Sequence, residues 1–288
     1  MSAKIDESLR QRILQFIVEA LAEDVGTGDF TSEATIPVGK RNTARLLVKD
    51  VGVLAGVEVA RMIFEAVDPT TNFDQRMSDG DLMHDGDVAF FVTCNSRALL
   101  QAERLVLNTM QRMSGIATLA NRYAFEVEDL PVKVLDTRKT TPNLRFLEKW
   151  AVRLGGCYNY RDGLYDRIMI KDNHIDAAGS ITKAIQGVQS FFTENALRLP
   201  ITVEVRNLVE LMEVLRVGQV DRIMLDNFEL PLLREAVAHI DGKYEVEASG
   251  GITLESIRAV AETGVDFISV GALTHSATSL DLSLKVVK

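Results

Sequence analysis

Apolar positions near the amino terminus recur at helical spacing: Leu9, Ile13, Phe16, Ile17 and Leu21 fall on one stripe. Ser8, followed three residues later by Gln11, predicts a capping box at the start of that helix. The segments 43–48 and 88–94 read as strands, with Gly80, Gly86 and Asp87 punctuating the approach to the second. A long helical pattern follows from about Ser96 to Met113 and carries Arg104. These elements predict an α+β unit. From about Pro131 the rhythm changes. VKVLD, RIMIK, ITVEV, RIMLD, YEVEAS and DFISVG are short apolar strands, and between them lie helical stretches around residues 145–154, 181–192, 208–217, 230–239 and 254–263. Such alternation, with nearly continuous apolar strands, predicts a parallel sheet with helices outside it. Six βα units can close, wholly or partly, into an α/β barrel, and a doubly wound open sheet has the same periodicity. No linker separates the two rhythms. The expected organisation is an N-terminal α+β domain over residues 1–113 and a partly open α/β barrel over residues 114–275, with the tail 276–288 returning to the first domain.

Composition narrows the class. The 288 residues are 47% hydrophobic and 25% charged, the balance of an ordinary globular protein with room for one large or two modest domains. No apolar run approaches the roughly 18 residues of a membrane span. The opening MSAKIDESLRQR lacks the apolar centre of a signal peptide. Two cysteines, Cys94 and Cys157, argue against a disulfide scaffold and for a reducing cytoplasm. A net charge of −9 disfavours nucleic acid or an anionic membrane as the main partner. Against that field a local concentration of cations carries information. The segment from Asp136 to Lys171 holds Arg138, Lys139, Arg145, Lys149, Arg153, Arg161, Arg167 and Lys171. Arg145, Lys149 and Arg153 alternate at helical spacing with Phe146, Leu147, Trp150 and Leu154, so they read as the solvated face of a helix. The other five call for a different account.

In parallel α/β architectures ligands bind at the carboxyl ends of the strands. Here every predicted end carries polar or glycine-rich chemistry: Asp136-Thr137-Arg138-Lys139, Lys171-Asp172-Asn173-His174, Glu204 with Arg206, Asp226-Asn227, Ser249-Gly250-Gly251, and Gly271-Ala272. Arg138, Lys139, Arg161 and Lys171 supply charge-assisted donors suited to carboxylates or phosphates. Glu204 and Asp226 are hard oxygen ligands that suit Mg²⁺ held together with a substrate phosphate. The glycines allow backbone N–H groups to approach a phosphate at a helix N-terminus. Together these residues predict a site for a polyanionic phosphate ester, a divalent metal and a second anionic ligand. No nucleophile elbow, Walker A loop, zinc-protease helix or paired CxxC competes with that reading. His84, His239 and His275 stand apart from the strand-end pattern and read as structural. His174 reads as orienting Lys171 or its loop rather than binding metal.

The run of motifs resembles the quinolinate phosphoribosyltransferase family across essentially the whole chain. The resemblance rests on EDVGTGDFTS (residues 23–32), AERLVLN (102–108), DTRKTTPNLR, GLYDRIMIKDNH, ITVEV, IMLDN, EASGGI and SVGALTHSA, in that order. It implies a mixed α/β N-terminal domain joined to a partly open α/β barrel, working as a cytoplasmic homodimer. The reaction it implies takes quinolinate and phosphoribosyl pyrophosphate, with Mg²⁺, to nicotinate mononucleotide, CO₂ and pyrophosphate in de novo NAD biosynthesis. Arg104, Thr137, Arg138, Lys139, Tyr160, Arg161 and Lys171 are then expected around quinolinate, with Arg104 contributed by the neighbouring subunit. Glu204 and Asp226 would hold Mg²⁺ and the ribose pyrophosphate, and Ser249, Gly250, Gly251, Gly271 and Ala272 the 5′-phosphate side. Lys139, Lys171, Glu204 and Asp226 form the implied catalytic set.

Three positions depart from the family pattern. Asn143 stands where glycine is usual after Thr-Thr-Pro, and asparagine tolerates left-handed backbone well. Cys157 replaces the third glycine of a run. Tyr160 replaces the histidine of Asn-His-Arg, which keeps a donor but removes a ring nitrogen and its charge near neutral pH. Two rival functions follow: a relative acting on another pyridine acid, such as those associated with molybdate transport, and a catalytically silent binding homologue. The retained arginines argue against the first, and Glu204 with Asp226 against the second.

Overall fold

The computed structural model describes residues 5–287. In chain order the amino-terminal elements are α1 (Glu7–Val25), α2 (Phe30–Thr35), β1 (Arg41–Val48), β2 (Gly52–Val53), α3 (Val57–Val67), β3 (Asn72–Gln75), β4 (Leu82–Met83), β5 (Val88–Asn95) and α4 (Ser96–Phe125). There follow β6 (Lys133–Leu135), α5 (Arg145–Leu154), β7 (Ile168–Ile170), α6 (Asp172–Ala178), α7 (Ile181–Asn195), β8 (Ile201–Val205) and α8 (Leu208–Val217). The chain ends with β9 (Arg222–Asp226), α9 (Leu230–Ile240), β10 (Glu245–Ser249), α10 (Leu254–Ala261), β11 (Phe267–Ser269), α11 (Ala272–His275) and β12 (Leu282–Val286).

Among the described residues two compact units emerge, one of residues 5–121, 146–156 and 277–287, the other of residues 122–145 and 157–276. The division falls inside α4, which continues well past Met113, where its pattern was expected to end. Gly115 does not break that helix. A Cβ there would lie 2.0 Å from the Thr278 carbonyl oxygen, so glycine permits a close pass of the returning tail. The first unit is built on an antiparallel sheet in the order β12-β1-β5-β3, with β2 and β4 as a separate pair. Phe64, Phe73 and Phe90 cluster on it at centroid separations of 4.5–6.4 Å. The cap of α1 differs from expectation: Asp6, not Ser8, accepts the Leu9 N–H at 2.8 Å, and Gln11 instead donates to Glu7. A carboxylate at that position adds charge to the cap. Helix α5, expected to expose Arg145, Lys149 and Arg153, exposes only Arg153 fully. Lys149 is buried, and buried Glu148 accepts from Arg112 at 2.8 Å. Residues 146–156 pack within the first unit rather than lying on a barrel surface, which removes the solvated face.

The second unit contains six parallel strands in the order β6-β11-β10-β9-β8-β7. The first strand of the series pairs with the last, Ser269 opposite Leu135, while β6 and β7 do not pair. That order belongs to a partly open barrel and excludes the doubly wound sheet, in which the winding reverses near the middle. Tyr158 bridges to Leu135 on the open side of β6. Strand β8 is buried at all five positions, yet it still alternates. Ile201, Val203 and Val205 take one face, while Thr202 and Glu204 take the face shared with Met224 and Asp226. The barrel interior is therefore polar, and the functional residues lie on it.

In the first unit Asp68 ties β5 to the loop after α3. It accepts from the Thr70 hydroxyl at 2.6 Å and the Asn95 N–H at 2.7 Å, with Arg41 at 3.4 Å. The Thr70 and Asn95 hydrogen bonds, with Arg41 beside them, hold its carboxyl down at about 2. A depressed carboxylate stabilises the fold above its unfolded pKa of about 3.9 and loses that contribution as pH falls toward its folded value. Asp68→Ala is expected to cost about 1–3 kcal/mol in urea titrations at pH 7, and less than half of that at pH 2. An equal cost at both values would contradict the assignment.

Candidate active site

The carboxyl ends of the second unit's strands surround a cavity of about 870 Å³. Of the residues expected there, Thr137, Arg138, Lys139, Tyr160, Arg161, Lys171, Glu204, Asp226, Ser249, Gly250, Gly251, Gly271 and Ala272 all line it. Arg104 does not. It is exposed on α4 in the first unit.

Arg138 and Arg161 dominate one wall. Buried Asp136, at the end of β6, accepts from the Tyr160 N–H at 2.8 Å and from Asn159 Nδ2 at 2.6 Å, which pins the segment carrying Arg161 beside the one carrying Arg138. Burial lowers the Arg161 pKa, and the positive charge of Arg138 lowers it further. The Nε of Arg138 is buried without a hydrogen-bond partner. A buried donor left unpaired is costly, and among the described residues Arg61 Nε and Trp150 Nε1 share that state. Two guanidinium groups on one wall supply charge-assisted donors of the kind that suit carboxylates or phosphates.

Lys171 stands at the start of α6, where its backbone N–H donates to His174 Nδ1 at 3.0 Å. His174 thus orients the Lys171 turn, as expected. The Lys171 ammonium donates to Glu204. Helix α6 itself is absent from the expected element series, because its polar sequence DNHIDAA has no apolar stripe. On β9, Asp226 accepts from Ser249 Oγ at 2.6 Å and Asn227 Nδ2 at 2.7 Å. Gly250 has φ 92°, and a Cβ there would lie 2.3 Å from Asn227 Oδ1. Glycine is required on both counts. At Gly271 a Cβ would meet Lys139 Cδ at 2.9 Å and His275 Nε2 at 3.2 Å, so the Lys139 stem and the His275 ring converge over that glycine. His275 lines the cavity, a correction to the expectation that it stands apart. It lies one turn beyond Gly271, at the end of α11, a helix too short to show as a periodic pattern. Met169, Met224 and Ser269 also line the site without having been singled out. Their signal was the strand period of two, applied backward from the polar ends.

Glu204 and Asp226 are the carboxylates on this wall. Among the described residues no group of three or more His, Cys, Asp or Glu is placed to hold a metal ion. Two carboxylates are too few for a resident cage. They suit Mg²⁺, which keeps several waters and is held by one or two carboxylates together with substrate phosphates.

Comparison with known proteins decides the family. The models of the quinolinate phosphoribosyl transferase N-terminal and C-terminal domains match residues 29–114 and 116–285. The chain belongs to the quinolinate phosphoribosyl transferase family. A decarboxylating quinolinate phosphoribosyltransferase of Nicotiana glauca is 46% identical over 282 residues, covering 93% of this chain and 80% of that protein. A probable carboxylating nicotinate-nucleotide pyrophosphorylase of Synechocystis is 42% identical, covering 93% of this chain and 90% of that protein. The crystal structure of NadC from Streptococcus pyogenes superposes with a TM-score of 0.91 at 38% identity over 100% of both chains. Within this family two of the departures are quiet. Asn143 has φ 65°, the left-handed conformation for which glycine is usual. Burial and the Asp136 charge push the Cys157 thiol up to about 12, which leaves it unreactive at neutral pH.

Gly250→Ala places a Cβ against Asn227 in left-handed backbone, at a strain of about 1–3 kcal/mol. A fall of several degrees in the melting temperature is expected. An unchanged melting curve would show that the turn relaxes freely.

Proposed function

We propose that this chain transfers the phosphoribosyl group of phosphoribosyl pyrophosphate to quinolinate and releases CO₂, pyrophosphate and nicotinate mononucleotide, a step of de novo NAD biosynthesis. The observation that carries this reading is the Arg138–Arg161 pair, two cations on the same cavity wall whose charges act on each other. Quinolinate brings two adjacent carboxylates to that pair. Thr137 and Lys171 complete its setting, and the Tyr160 ring bounds it. The ribose pyrophosphate lies toward Glu204 and Asp226, with its 5′-phosphate near Ser249, Gly250, Gly251, Gly271 and Ala272. Lys139 and His275 converge over Gly271 and bring donors to the same anion.

Each residue has a role set by its charge. As the bond from the anomeric carbon to pyrophosphate breaks, positive charge develops on the sugar, and Glu204 and Asp226 stabilise it. Lys139 and Lys171 offset the negative charge of the departing and incoming anions. Glu204 and Asp226 would hold Mg²⁺ together with the substrate phosphates, and the ion would supply charge neutralisation for the pyrophosphate leaving group. The pyridine nitrogen attacks the anomeric carbon, and its ring becomes cationic. The C2–carboxylate bond then breaks, its electron pair is held at C2 beside the positive nitrogen, and a proton replaces CO₂. Positioning and charge complementarity account for the rate, so no protein nucleophile is required.

The active assembly is a homodimer in which exposed Arg104 reaches the site of the neighbouring subunit. A cytoplasmic location fits two buried cysteines that form no disulfide, although related plant enzymes are named chloroplastic and mitochondrial. No helix of the described residues is long and apolar enough to cross a membrane.

Purified enzyme given quinolinate, phosphoribosyl pyrophosphate and Mg²⁺ is expected to release CO₂ and nicotinate mononucleotide in equal amounts. A folded protein that yields neither would contradict the reading. Arg138→Ala removes a charge-assisted bidentate donor, so quinolinate affinity by calorimetry should fall about 100-fold or more. An unchanged affinity would refute its role.

A further inference from the structure

Tyr160 contributes its ring to the cavity wall, but its hydroxyl is engaged elsewhere. It lies 2.9 Å from Thr202 Oγ1, and Thr202 is fully buried and lines no part of the cavity. Arg167 Nη1 donates to the same Thr202 oxygen at 3.0 Å, while the Arg167 carbonyl accepts from Arg161 Nη1 at 3.4 Å. The chain from Tyr160 through Thr202 and Arg167 therefore returns to Arg161, the residue next to Tyr160. The charge of Glu247 also acts on the Tyr160 phenol, and Glu247 is fully buried and accepts from Arg222 at 3.0 Å and from Ser269. The guanidinium groups of Arg167 and Arg222 lie 5.5 and 5.3 Å from the Tyr160 ring centre. Both are within cation–π range. Arg222 also sits 3.6 Å from the Phe267 ring centre. Burial, reinforced by the charge of Glu247, holds the phenol in its neutral form as a permanent donor.

We infer that Tyr160 is a positioning residue, whose hydroxyl joins buried Thr202 and, through Arg167, thereby fixes Arg161 for the ligand carboxylate. The inference rests on the proposed dicarboxylate site and deepens it. A phenol long enough to reach the barrel interior ties the Arg161 segment down, where a direct ligand contact would need the hydroxyl turned upward. An imidazole at position 160 carries no hydroxyl and takes one of two partners from Thr202, leaving it Arg167 alone. In a fully buried network such a gap is costly.

The test is a double-mutant cycle of Tyr160→Phe and Thr202→Val, with Tyr160→His beside it. Both single variants should raise the KM for quinolinate about tenfold with kcat changed far less, as loss of one buried hydrogen bond to an aligned donor implies. The double variant should fall short of the product of the two single effects, because both break the Tyr160–Thr202 linkage, while Thr202→Val also removes the acceptor of Arg167. Tyr160→His should bind quinolinate more weakly than the unaltered enzyme. Amide hydrogen exchange of residues 158–162 without ligand should quicken in all three, a readout independent of turnover. If Thr202→Val leaves the KM unchanged, if the two effects multiply, or if Tyr160→His tightens quinolinate, the positioning role is wrong. Should the unaltered enzyme fail to turn over quinolinate, the proposed function falls, and the exchange data still decide whether Tyr160 anchors this segment.

Discussion

Two arginines, Arg138 and Arg161, share one cavity wall and act on each other through their charge, and part of the second unit can be understood as the means of keeping them there. Like charges at close range separate unless the chain that carries them is fixed. Buried Asp136 supplies part of that constraint. Its two oxygens take the Tyr160 N–H and the Asn159 amide, joining the segment after α5 to the end of β6. The bridge from Tyr158 to Leu135 supplies another part, by laying the same segment along the open edge of the sheet. Arg138 and Arg161 both line the cavity. Two cations on one wall are the arrangement that would favour a dianion over a monoanion under the proposed function.

The opposite wall is built on another logic. Glu204 and Asp226 project from adjacent strands onto the same face, and neither is left bare: Lys171 donates to the first, Ser249 and Asn227 to the second. Neutral or cationic partners orient these carboxylates before substrate binds, so little reorganisation remains for the reacting complex. Beneath both walls the barrel is filled by Arg222, Glu247, Tyr160, Thr202 and Ser269 rather than by aliphatic layers. Removing one member of such a buried ion pair typically costs about 3–5 kcal/mol. The polar interior thus couples the stability of the barrel to the geometry of its mouth.

Much of this arrangement was legible in the chain. The βα alternation after Pro131 identified the parallel sheet, and the residues ending each strand identified the cavity wall, because in this architecture a strand end is a position in space as well as in sequence. Strand order was not legible, since a barrel and a doubly wound sheet share one periodicity, and only the pairing of β6 with β11 separates them. Lys149 misled because helical spacing reports an apolar stripe, not what packs against the opposite face. His275 was passed over because α11 is one turn long. The destination of the Tyr160 hydroxyl lay beyond reach, since Thr202 is distant in sequence and reads as an ordinary strand position. Arg104, recognised by resemblance alone, stands apart from the cavity lining of its own chain.

The central claim is that the paired guanidinium groups select a dianion. Calorimetry of the enzyme with quinolinate and with nicotinate, which lacks the 2-carboxylate, tests it directly. Loss of one charge-assisted bidentate contact predicts that nicotinate binds at least about 100-fold more weakly. Equal affinities for the two acids would contradict the account.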